Sequence, residues 1–190
     1  MGHPSGAVPF TAFHPVVVWS LWKRAPKLDF VALTVGAVIP DLFELVFVFL
    51  LPDLYWVQRD LSHSLLGAVT YDVGLGLAGV LVARRLLHFL DRIHPSPLWS
   101  RYGGRDYRTG RPWRWVVLSL MIGSLAHVLV DLPFHWQHPL LFPFGERLVL
   151  FPAEQAFLVD RVTIVLFGSL FLYLLYVNWW RPAHARQSEK

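Results

Sequence analysis

Apolar residues gather along this chain in four long runs, over residues 30–51, 63–82, 115–132 and 157–180, with polar, Pro- and Gly-containing segments between them. Each run has roughly the 17–25 residues that a helix needs to cross a hydrocarbon core. A soluble protein of 190 residues would not place four such runs in sequence. The pattern predicts an all-α, polytopic membrane bundle with four spanning helices, forming one integral membrane domain over 1–190. Residues 8–21 are also apolar, but the stretch is short for a span and is interrupted by His14-Pro15. The expectation there is a short or re-entrant N-terminal half-helix covered by the bundle. It lacks the basic start and small-residue cleavage site of a removable signal.

Composition agrees with that reading. Hydrophobic residues make up 55% of the chain, and there are nine Trp; the mean hydropathy is +0.45. Basic residues then orient the path. Lys23, Arg24 and Lys27 precede the first run. Arg84, Arg85, Arg92, Arg101, Arg105, Arg108, Arg111 and Arg114 lie between the second and third, and Arg181, Arg186 and Lys190 follow the fourth. An alternating four-span path puts these groups on one side, leaving only Arg59, Arg147 and Arg161 of the 17 basic residues on or near the other. The positive-inside rule makes the basic side cytoplasmic, with a basic loop over 91–114, a tail over 181–190, and the inner (plasma) membrane as location. Trp22, Trp113, Trp115, Trp179 and Trp180 flank the basic groups as an interfacial belt should. The charges flank spans and form no separate basic domain, so nucleic acid is not an expected partner and the bilayer is. Cysteine is absent, which excludes disulfides, thiolate metal sites and Cys nucleophiles.

Polar residues at membrane depth carry the chemistry. His127, Asp131 and His135 stand at i, i+4 and i+8; each four-residue step turns the helix by only ~40°, so the three share one face. Ionisable groups in a spanning helix are costly and face a partner, a cavity or an ion. With a rise of ~1.5 Å per residue, Asp41 lies roughly 17 Å beyond Phe30 and His127 roughly 18 Å beyond Trp115. Asp60 and His63 open the second run. Asp41, His63, His127 and Asp131 can therefore meet in the outer half of the membrane, with His14 reaching them. Pro133 is expected to end the helix before His135, which stays as an outer candidate. Asp60 is either a helix cap or the carboxylate base beside a metal. The bland alternatives are a packed His14, an Asp41 that satisfies groups freed by Pro40, and a capping or surface His63. His138 is a minor loop candidate, Asp72 is expected to contact another helix, and Glu44 stands at most behind the site.

Nitrogen and carboxylate ligands without sulfur suit a divalent cation, Zn first and Mn or Fe(II) next. A catalytic cation would acidify water toward neutral pH. There is no phosphate-binding Gly loop, HExxH or GxSxG, which disfavours NTPases, zincin proteases and serine hydrolases.

Four pieces, in order, carry a resemblance: Pro9-Phe10-Thr11-Ala12-Phe13-His14-Pro15, Gly36-Ala37-Val38-Ile39-Pro40-Asp41, Asp60-Leu61-Ser62-His63-Ser64-Leu65-Leu66-Gly67, and His127-Val128-Leu129-Val130-Asp131 with the following Pro139-Leu140-Leu141-Phe142-Pro143. Together they resemble the YdjM-like family of membrane-bound metal-dependent hydrolases. That family looks related to zinc-dependent phospholipase C and single-strand nucleases, whose all-helical sites bind zinc through His and Asp. The resemblance implies His14, Asp41, His63, His127 and Asp131 as the metal set. This chain departs from it in carrying His135 and His138 where a small or hydroxyl residue and a glycine are expected. The functional expectation is a membrane-embedded metal-dependent hydrolase acting on a phosphoester or lipid-like substrate. The alternative is a non-catalytic subunit packed against other membrane subunits, with or without haem or chlorophyll. The carboxylates beside the histidines argue against a porphyrin, which needs only axial ligands.

Overall fold

In the computed structural model, residues 14–93, 111–132 and 137–176 are described. They are helical, with no strand and one isolated antiparallel bridge, His138 to Leu148. The helices are α1 (His14–Arg24), α2 (Phe30–Leu50), α3 (Tyr55–Ser62), α4 (Leu65–Val69), α5 (Tyr71–Ile93), α6 (Trp113–Asp131) and α7 (Ala153–Leu175). A 3₁₀ turn, Pro52–Leu54, joins α2 to α3. Three helices, α2, α5 and α6, are long and apolar enough to cross a membrane. The fourth apolar run is helical in α7 as far as Leu175, and its end lies outside the described residues. So do most of the basic segment 91–114, the tail 181–190 and the first piece of the resemblance up to Phe13.

Within the described residues α1 runs unbroken from His14-Pro15 to Arg24. α1 buries His14, Val16, Val18 and Trp19 toward the bundle. Asp29 starts α2: its carboxylate accepts the Ala32 N–H as an N-cap. The same buried side chain pairs with Arg84 of α5, and its backbone N–H donates to Ser119 Oγ of α6 at 2.8 Å. One residue thus ties α2, α5 and α6 together at the basic end.

The second span differs from its expected position. It covers Tyr71–Ile93 rather than 63–82, and the preceding residues fold as the two short helices α3 and α4. Local side-chain hydrogen bonds account for the break. Ser64 Oγ accepts the Gly67 N–H at 3.0 Å and donates to the Leu61 carbonyl at 2.7 Å. Thr70 then leaves helical geometry at ψ −75° after φ −123° and donates to the Leu66 carbonyl. His63 falls between α3 and α4, so its side chain is aimed by a turn instead of by a continuous helix.

Contacts set the directions. Asp29 meets Ser119, and the Ala37 carbonyl meets His127, so α2 and α6 run parallel. Arg84 meets Asp29 and Asp72 meets Ser124, so α5 runs antiparallel to both. This is the up-down-up order of consecutive spans. α2 and α6 approach to backbone distance because of two glycines. A Cβ on Gly36 would lie 2.4 Å from the Leu120 carbonyl oxygen, and one on Gly123 would lie 2.3 Å from that of Leu33. Small residues at such crossings are how membrane helices gain packing where lipid supplies no hydrophobic drive. Ala32, Val73, Val80, Val116 and Leu120 fill the space between α2, α5 and α6.

Candidate metal centre

The glycine crossing positions the site. One turn beyond Gly123, His127 is fully buried, and its Nδ1 lies 2.9 Å from the carbonyl of Ala37, the neighbour of Gly36. A carbonyl only accepts, so Nδ1 carries the proton and Nε2 presents its lone pair inward. His63 is held the same way: its Nδ1 donates to the Arg59 carbonyl at 3.1 Å and sits 3.0 Å from Ser62 Oγ. Its Nε2 also faces inward. A second partner that fixes tautomer and ring direction is characteristic of metal-binding histidines.

Two carboxylates complete the group. Asp41, just past Pro40 in α2, places Oδ1 3.4 Å from Nε2 of both His63 and His127. Asp131 places Oδ2 3.2 Å from His127 Nε2 and 3.7 Å from His63 Nε2. The two Nε2 atoms are 3.4 Å apart. One ligand atom from each of the four buried residues lies within 4.8 Å of the other three. Four tetrahedral ligands at about 2.0–2.1 Å from one cation stand about 3.3–3.4 Å from one another, close to the 3.2–3.7 Å of the pairs here that include a histidine nitrogen. The donor set fits a divalent cation bound by imidazole and carboxylate.

His14 joins from the side. Its Nε2 is 3.0 Å from Asp131 Oδ1, the oxygen turned away from the group, and its ring stacks on His127 with centroids 4.0 Å apart. It therefore holds the Asp131 carboxylate and the His127 ring in place. Asp60 lies elsewhere: both its oxygens receive Arg147, at 3.0 and 2.8 Å, and it belongs to the last turn of α3. Ser64, not Asp60, caps the following helix. His135 lies outside the described residues. Asp72 does reach another helix, accepting Ser124 Oγ at 2.7 Å.

Three features carried little signal in the chain. His138 is fully buried in the segment after α6, with its ring centroid 6.5 Å from that of His63. Paired backbone bonds with Leu148 hold it, at 2.8 and 2.7 Å, and the nearby Leu140 carbonyl accepts the first N–H of α4. Glu44 sits one turn beyond Asp41, with Oε2 3.9 Å from His63 Nε2. Tyr55 donates to its other oxygen at 2.5 Å, and Arg59 Nε stands 3.6 Å from that same oxygen. Burial, then the Glu44 hydrogen bond, pushes the Tyr55 phenol up to about 12, so it remains a donor. The i, i+3 step from Asp41 to Glu44 and the i, i+4 step from Tyr55 to Arg59 were the available hints.

Comparisons with curated proteins and with solved structures find no match. A protein-family model does match, over residues 8–189, and so includes every residue of the group. The chain belongs to that family, which is described as a domain of unknown function, DUF4184.

Proposed function

We propose that this protein is a membrane-embedded, metal-dependent hydrolase acting on a phosphoester or lipid-like substrate. The observation that carries the reading is the convergence of four buried lone-pair atoms, from α2, α6 and the α3–α4 turn, at separations one cation would set. Asp41, His63, His127 and Asp131 would hold the ion, with zinc the first candidate and Mn or Fe(II) the next. Such an ion supplies Lewis-acid polarisation and makes water acidic enough to attack near neutral pH. The chain's own residues orient the ligands: Ala37 and Arg59 through their carbonyls, His14 through Asp131.

The depth of the group supports the amphiphile. Asp41 is the twelfth of the 21 residues of α2, and the outer half of that helix exposes Leu42, Leu45 and Phe49. A substrate with an acyl or prenyl chain reaches such a site along the lipid face more readily than a soluble polymer does. On the same reading α7 is a fourth span, the basic ends of α1, α5 and α6 lie in the cytoplasm of a cell with an inner membrane, and the kinship is with YdjM-like hydrolases.

The test is metal content and turnover of detergent-purified protein. Wild type should carry about one Zn, Mn or Fe per chain and, loaded with it, hydrolyse a chromogenic phosphodiester or a phospholipid in mixed micelles. His127→Ala and Asp131→Ala should lose the metal while still inserting. Metal content unchanged in both variants would reject the ligand assignment, and a loaded wild type inert on both substrates would reject the hydrolase.

A further inference from the structure

Glu44 is not explained by the group of four. It is not one of the residues whose ligand atoms all fall within 4.8 Å. Its Oε2 borders that set, 3.9 Å from His63 Nε2, without belonging to it. Yet its carboxylate is aimed. Oε1 receives the Tyr55 hydroxyl and lies beside Arg59, while Oε2 faces the site, 3.9 Å from His63 Nε2. Arg59 has two attachments here: its carbonyl fixes His63, and its guanidinium lies against Glu44 and the Trp56 ring. α3 thereby sets both a ligand and the carboxylate next to it. The Glu44 side chain is 14% exposed, between the buried ligands and the outer end of α2.

We propose that Glu44 Oε2 accepts a hydrogen bond from the water or substrate hydroxyl seated on the outward side of the cation, and so orients it. The role rests on the metal reading above. Oε1 is the anchored oxygen and Oε2 the working one. Tyr55 and Arg59 keep the carboxylate from rotating, and its charge is matched by Arg59 so that it does not compete for the ion.

Cobalt(II) tests this in the full-length protein in detergent, because its visible bands report the ligand field without any need for turnover. Wild type should bind cobalt at the stoichiometry it shows for zinc. Glu44→Gln should keep that stoichiometry but shift the bands and weaken binding about 10-fold, the low end for a lost outer partner. Tyr55→Phe, which removes only the hydroxyl, should move the bands in the same direction and by less, and it serves if Glu44→Gln does not fold. Arg147→Ala, in the exposed pair with Asp60, should give the wild-type spectrum. A Glu44 that only braces Arg59 would lower the melting temperature and leave bands and affinity as in wild type; that result overturns the proposal. A wild-type protein that takes up no cobalt overturns the metal reading itself, and the Glu44 role with it.

Discussion

Gly123→Ala is the smallest change that separates assembly of the site from its ligands. The new Cβ would sit 2.3 Å from the Leu33 carbonyl oxygen and 3.0 Å from the Ala37 nitrogen, both backbone atoms that cannot rotate aside. Ordinary contact begins near 3.4 Å, so α2 and α6 must part by about 1 Å at this level. The His127 Nδ1 to Ala37 carbonyl distance is now 2.9 Å. An added ~1 Å takes it past the limit of a hydrogen bond and frees the imidazole to turn. Overpacking of this kind costs about 1–3 kcal/mol of stability. Loss of the orienting partner lowers metal affinity about 10–100-fold, or roughly 1.4–2.8 kcal/mol. The assay is zinc titration against a competing chelator in detergent, with circular dichroism to confirm that helix content is unchanged. Gly74→Ala is the control, since nothing lies within 4 Å of its added Cβ. Wild-type affinity in Gly123→Ala would refute the claim that this crossing sets the His127 ring.

Other substitutions separate roles within the cluster. His14→Ala should retain one metal per chain but bind it about 10-fold more weakly, because His14 braces Asp131 from outside the group; complete loss of metal would make it a ligand instead. Asp60→Asn should leave metal affinity unchanged and cost about 0–1 kcal/mol, as expected for a pair whose Arg147 is 42% exposed; a Tm series and the same chelator titration check both. Chelation of wild type should lower the melting temperature. Free metal at about 100 times Kd stabilises by roughly 2.7 kcal/mol, so re-addition should restore it and the His127→Ala protein should not respond.

The long helices were legible because apolar run length is a direct measure of span length, and α2 and α6 fall where the runs do. The second span was misplaced for a specific reason. Residues 63–70 are as apolar as a helix interior, yet Ser64 and Thr70 bond to nearby backbone and divide the segment. Hydropathy does not register a two-atom hydroxyl. The buried His/Asp cluster could be read because Asp41 and His127 stand at comparable distances along apolar helices that an alternating path makes parallel. Asp60 was out of reach of this logic: its partner Arg147 is 87 residues away, and pairing across loops leaves no periodic trace. Glu44 and His138 needed the turn that aims His63 before their nearness to it could be known.

Charge balance bears on what the centre can hold. Asp29, Glu44 and Asp60 each face an arginine, whereas Asp41 and Asp131 face histidines. Two buried carboxylates need positive charge nearby, since isolated ions in low dielectric are very costly. Protonating both histidines would supply it, but only by putting N–H groups on both Nε2 atoms, which are 3.4 Å apart. Two positive charges at that separation repel by roughly 5 kcal/mol at an effective dielectric of about 20. A divalent cation held by these four residues would neutralise both carboxylates and use both lone pairs with the Nδ1 bonds intact. A proton-handling cluster should therefore hold its geometry in metal-free buffer, whereas a metal centre should lose protection from hydrogen exchange around His63 and His127 when chelated and regain it with zinc.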